Sequence, residues 1–130
     1  MMKLAKAVCA CAIVLMTVAQ AEEEKVWYCA PVASGGLTFT DGAWATQTFV
    51  VEKVILKESG NRLIFPDSYR DARFVDALCD PHGSDIFCHA RWPPNETFQL
   101  SPEVGIATAS AALGIEGEDM YVSIFNCETF

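Results

Sequence analysis

From Val26 onward the chain sets short apolar runs between recognisable turns, a pattern that predicts an all-β protein. Val26 to Ala30 reads as a first strand, and Gly35 and Gly36 loosen the chain ahead of Leu37 to Thr40. Asp41-Gly42 supplies the two positive-φ positions of a tight hairpin turn, after which Trp44 begins the return strand. The longest β-type run is Thr46 to Lys57. There Phe49, Val51 and Ile55 share one face and Val50, Val54 and Leu56 the other, which predicts a strand that is bent or covered on both sides. Glu58-Ser59-Gly60-Asn61 turns the chain into Arg62 to Phe65, which Pro66 ends.

Two stretches of the second half carry conflicting local signals. Asp67 stands where it can cap a helix with Tyr69, Ala72 and Val75 on one face, yet Arg73 to Cys79 must lie extended if Cys79 is to face Cys88 across a hairpin. A loop or single helical turn followed by a strand reconciles the two. Ser101-Pro102-Glu103 with the Ala-rich run and Gly114 describes a helix over 102 to 113. The same S-P-E-V-G also fits a hairpin loop with Gly105 in the left-handed position, and the hairpin is the reading adopted, because Gly105 inside a helix costs about 1 kcal/mol relative to Ala. Elsewhere the alternation is plain. Ile86, Cys88, Ala90 and Trp92 share one face, Phe87, His89 and Arg91 the other, and Pro93-Pro94-Asn95 turns into Thr97 to Leu100 with Phe98 and Leu100 inward. Ile106 to Leu113 forms a strand, Glu116 to Asp119 turns, and Tyr121 to Cys127 closes the sheet. Eight or nine strands in this length predict a small antiparallel meander closing into a barrel or sandwich, with at most one short helix.

The first residues and the cysteines add a compartment. Met-Met-Lys-Leu-Ala-Lys, an apolar run from Ala7 to Ala19 and Ala19-Gln20-Ala21 before Glu22-Glu23-Glu24 read as a secretory signal peptide over 1–21. The run is shorter than the roughly 18 to 20 apolar residues a membrane span needs, so no span is expected after cleavage. Residues 22–130 then form a single domain destined for the periplasm or for secretion. Cys9 and Cys11 leave with the leader, and Cys29, Cys79, Cys88 and Cys127 remain, an even set that implies disulfides with three connectivities open. The hairpin reading selects Cys79 with Cys88 and Cys29 with Cys127. On the loop-entropy model the first contributes about 2.7 kcal/mol and the second, closing most of the chain, about 4.7 kcal/mol.

Charge narrows the partners. The net charge of −8 becomes −10 once Lys3 and Lys6 leave, with the acids scattered along the chain. Such a surface repels nucleic acid and favours a cationic protein at low salt. Candidate chemistry does not assemble. Cys79, His82, Cys88 and His89 resemble a zinc set, but strand neighbours such as Cys88 and His89 point to opposite faces and exported thiols oxidise, so no metal or cofactor is expected. Haem attachment fails because position 85, where a second cysteine is needed, is Asp. No Gly-x-Ser-x-Gly elbow accompanies His82 or His89, and the carboxylate pairs Asp76 with Asp80 and Glu116 with Glu118 sit near turns where solvated acids belong. Trp27, Trp44 and Trp92 read as core. Asn95-Glu96-Thr97 is a glycosylation sequon, whose use requires a eukaryotic secretory route.

Tyr28-Cys29, Trp44 and Phe49 leading into V-E-K-V-I-L-K, Cys79, D-I-F-C ending at Cys88, F-Q-L at 98–100 and the final Y-V-S-I-F-N-C follow one another in an order that resembles a family of small, exported, uncharacterised proteobacterial proteins. That resemblance implies export and brings no catalytic residues. W-Y-C at 27–29 and the acidity are also similar to periplasmic inhibitors of chicken-type lysozyme, small barrels that begin with an aromatic-x-Cys or aromatic-Cys strand. The expectation is a non-enzymatic exported β domain that binds a protein or envelope partner. The alternatives are an inhibitor of a cationic lysozyme-type hydrolase and a carrier of a small apolar ligand in a barrel cavity.

Overall fold

Nine antiparallel strands form one sheet in the computed structural model, which describes residues 23–69, 74, 77–90, 96–112 and 119–130. They are β1 (Glu24–Thr40), β2 (Ala43–Thr48), β3 (Val54–Ser59), β4 (Arg62–Ile64), β5 (Leu78–His82), β6 (Asp85–His89), β7 (Glu96–Ser101), β8 (Ile106–Ala112) and β9 (Met120–Thr129). The order β4-β3-β1-β9-β8-β7-β6-β5 curls into a nearly closed barrel, and β2 pairs with β1 outside that path. At the seam, the Cys79 sulfur lies 4.0 Å from the Leu63 carbonyl oxygen. Among the described residues no ladder joins β4 to β5 and no α-helix occurs. The expected leader, Trp92, the Pro93-Pro94-Asn95 turn, Asp76, Glu116 and Glu118 lie outside the described residues.

The core explains why the Ala-rich stretch is a strand. Phe98 of β7 stands opposite Ala109, and Phe125 of β9 opposite Ala107, so β8 puts small side chains between two strands bearing rings. The Phe98 and Phe125 rings reach each other at 6.0 Å across that low strand. Phe65, Tyr69 and Phe74, from the connection between β4 and β5, complete the cluster, with Phe65 at 5.0 Å from both Phe74 and Phe98. Fully burying a ring of this size stabilises by roughly 1.5–3 kcal/mol. A helix over the same alanines would lose this packing. The hairpin that feeds β8 turns on Gly105 at φ 65, where an added Cβ would lie 2.6 Å from the Cys127 carbonyl oxygen. The turn is in turn stitched to β9, because the Cys127 amide donates to the Gly105 carbonyl at 2.7 Å.

Two disulfides join directly opposed residues of neighbouring strands. Cys29–Cys127 ties β1 to β9 with 98 residues of separation, and Cys79–Cys88 ties β5 to β6 with a separation of 9.

Several local expectations are corrected. The first strand does not stop at Ala30, nor do Gly35 and Gly36 loosen it: β1 runs to Thr40 with one register shift between Pro31 and Ala33. Its continuity comes from β9, which pairs with it from Leu37 back to Trp27. Gly36 is required by close approach, since a Cβ there would overlap the Met120 carbonyl oxygen and lie 2.7 Å from the Tyr121 Cα. Thr46 to Lys57 is two strands rather than one, because β2 takes the far half of one β1 edge and β3 the near half. The break at 49–53 changes the phase, leaving Val50 exposed while Val54 and Leu56 are buried. Of the stretch expected to lead extended into Cys79, Leu78 and Cys79 lie in β5 and the Ala77 amide donates to the Phe74 carbonyl at 3.1 Å, while Ala72, Arg73 and Val75 lie outside the described residues. This hairpin turns at Gly83-Ser84 alone, with Asp80, Pro81 and His82 inside β5. Pro81 is tolerated because β5 is an end strand of the sheet.

Candidate functional site

The residues with chemistry to offer are spread over the outside of the barrel. In β6, Ile86 and Cys88 are buried, so Phe87 and His89 face outward, and His82 pairs with Asp85 at the other end of the same hairpin. Both histidines are exposed, and the His82 and Phe87 rings stand nearly perpendicular with centroids 5.8 Å apart. Asp85 accepts instead from the Gln99 amide at 3.0 Å. Among the described residues, no three His, Cys, Asp or Glu side chains gather as a metal-holding group. Cys88 and His89 stand on opposite faces of β6.

Among the described residues one carboxylate lies inside. Glu96 shares the inward face of β7 with Phe98 and Leu100 and is 1 % exposed. Strand alternation from Phe98 places it there, a signal that the sequon around it overlies. On the barrel wall the Ser34 and Ser123 hydroxyls hydrogen-bond at 2.7 Å between β1 and β9.

The outer face of β1, β8 and β9 presents exposed apolar side chains around the middle of β9. On β9, Tyr121, Ser123, Phe125 and Cys127 are buried while Val122 and Ile124 are exposed. Their outward neighbours across the two ladders are Ser110 and Thr108 on β8, and Gly35 and Ala33 on β1. Ile106 adds a further exposed apolar side chain beside Asn126. This central area carries no charge, while exposed carboxylates stand at its ends: Asp119 before β9, Glu128 near its close, and Glu103 in the turn that precedes Gly105.

The outward apolar positions continue along a projecting arm. Leu37 stands opposite Met120 on one side and Thr46 on the other, and Phe39 faces Trp44. The Phe39 and Trp44 rings lie 5.0 Å apart. Trp44 was expected in the core and is instead 41 % exposed, because among the described residues nothing covers β2, every residue of which is exposed; Trp27, by contrast, is buried and donates to the Glu58 carboxylate at 2.7 Å. The signal for this surface was present in Tyr121 to Cys127, where apolar residues occupy both parities of the strand. Comparison with known protein families, with curated proteins and with solved structures finds no match to this chain in any of the three.

Proposed function

We propose that the chain is a non-enzymatic, exported binding domain that docks a protein with a cationic surface on the outer face of β1, β8 and β9. The observation that carries this reading is the uncharged apolar centre of Val122, Ile124 and Ile106 with the carboxylates of Asp119, Glu103 and Glu128 at its ends. Protein interfaces are depleted of charge at their centre and polar at their rim. The acidic rim, on a chain of net charge −8, steers a basic partner inward, and the apolar centre then supplies burial. The leader and the two disulfides support an oxidising compartment outside the cytoplasm. The ring cluster of Phe65, Tyr69, Phe74, Phe98 and Phe125 occupies the interior that a carrier of apolar ligands would keep open, which favours surface binding over carriage.

The test is a side-by-side capture from envelope extract with the protein produced from its full sequence and with its Val122→Asp variant. The expected result is a basic protein held by the wild type at low ionic strength, released as salt rises and absent from the variant. Equal recovery on both, or retention indifferent to salt, overturns the reading. A narrower version, in which the partner is a cationic lysozyme-type hydrolase, is favoured by W-Y-C at the start of β1 together with the acidic surface. Purified chicken-type lysozyme that shows no association at low salt would remove it.

A further inference from the structure

The sheet has edges of two kinds. Natural proteins protect a free edge with proline, charge, shortness or a bulge, because its open backbone groups otherwise recruit another strand. The two strands at the seam are protected in this way: β5 carries Asp80 and Pro81, and β4 is a three-residue strand that opens on Arg62. The outer edge of β2 is not. Ala43-Trp44-Ala45-Thr46-Gln47-Thr48 contains no charge and no proline, runs without a register shift over all six pairs with β1, and is exposed throughout.

Backbone alternation shows which groups that edge presents. The Phe49 amide donates to the Ser34 carbonyl at 3.3 Å, continuing the β1–β2 ladder by one pair. Residues of the same parity, Ala43, Ala45 and Gln47, therefore direct their backbone groups at β1, and Trp44, Thr46 and Thr48 direct theirs away. We propose that these three residues pair with the same edge of a second copy, in a twofold antiparallel ladder centred on Thr46.

In that register Thr46 faces Thr46 of the second copy and Trp44 faces Thr48, so every outward backbone group of the edge is used. The axis stands perpendicular to the sheet, which keeps the outer faces of both arms on one side and brings the exposed Trp44 ring beside a threonine of the other copy. Charge favours this occupant. Asp41 is the sole charged residue between Ser34 and Val51, and it lies at the arm's tip, away from the axis, so two acidic chains can meet here without opposing carboxylates. An edge without charge also gives no means of selecting a foreign strand by sequence. Six-residue edges alone bury less than the roughly 1,000 Å² of a stable interface, so the association is weak and concentration-dependent. Because both copies are acidic overall, salt strengthens it, whereas docking of a cationic protein weakens with salt.

Sedimentation velocity on the protein made from its full sequence decides the matter. The expected result is a monomer at low concentration that shifts to a dimer as concentration rises, and shifts further at high salt. Thr46→Pro removes an amide that points away from β1 and abolishes the shift. Thr46→Lys sets two ammonium groups against each other at the axis and weakens association at least tenfold at low salt, with partial recovery at high salt. Circular dichroism reports whether each variant keeps its fold, and Thr46→Lys carries the test alone if the proline variant does not. A monomer at every concentration, or a dimer that a folded Thr46→Lys variant leaves intact, overturns the proposal. Neither result touches the docking surface, since Val122 stands on the sheet face and not on this edge.

Discussion

The β1–β2 arm and the β5–β6 hairpin are built alike and used differently. Each turns through two residues, Asp41-Gly42 in one and Gly83-Ser84 in the other, and each brings residues 9 apart face to face in the fourth pair from the turn: Leu37 with Thr46, Cys79 with Cys88. The β5–β6 hairpin points Ile86 and Cys88 into the barrel, is cross-linked, and keeps Pro81 on its edge. Every residue of β2 is exposed, the arm is not cross-linked, and its edge is bare. Local turn chemistry thus suffices to make a hairpin. What the hairpin then does depends on whether its side chains find a core and whether its edge is closed.

The largest expected effect belongs to the cross-link of β1 with β9, which lies outside the arm. Replacing both Cys29 and Cys127 with Ala removes the long cross-link, and the loop-entropy account gives a loss of about 4.7 kcal/mol, enough to unfold a marginal domain. Urea denaturation measures it; a loss no larger than that from Cys79→Ala with Cys88→Ala, about 2.7 kcal/mol, would mean that loop length does not govern the difference. Transplanting the staple sharpens the contrast next. Leu37→Cys with Thr46→Cys closes a loop of the same length in the arm, and is expected to add up to about 2.7 kcal/mol and to slow amide exchange there. Unchanged exchange would show that the arm is already as rigid as the stapled hairpin.

Glycine substitutions probe the same two regions with smaller effects. Gly36→Ala, which meets the β9 backbone, should cost about 1–3 kcal/mol, whereas Gly35→Ala finds its nearest neighbour, the Gln47 carbonyl oxygen, at 3.6 Å and should cost under about 1 kcal/mol. Equal costs in thermal unfolding would refute the close approach of β1 to β9. The smallest effect belongs to the exposed ion pair of Lys57 with Glu24, at 3.0 Å, near the opposite end of β1 from the arm. Lys57→Ala is expected to change stability by less than about 1 kcal/mol, and by less still in high salt.

Turns and inward faces were legible along the chain because both are local. Asp41-Gly42 adopts φ values of 52° and 76°, and Phe98, Leu100, Ile86 and Cys88 point inward as the period of two requires. The even set of cysteines together with the Cys79-to-Cys88 hairpin led to the two pairs that the structure joins. The candidate surface was less legible. Alternation identifies Val122 and Ile124 as outward once Phe125 is placed inward, but says nothing of which strands flank them.

By itself, then, the sequence determined an antiparallel β protein, the positions of most of its turns, and the inward faces of β6 and β7, since these follow from bonds and sterics among neighbours in the chain. Only the tertiary structure decided that β1 continues through Gly35 and Gly36, that β2 and β3 divide one of its edges, and that Trp44 stands in solvent. Each of those depends on a strand far away in sequence: β9 holds β1 straight, and the 17 residues of β1 leave room for two partners end to end. Whether an apolar residue is covered depends on what lies across from it, and pairing over such distances leaves no mark in any short window of sequence.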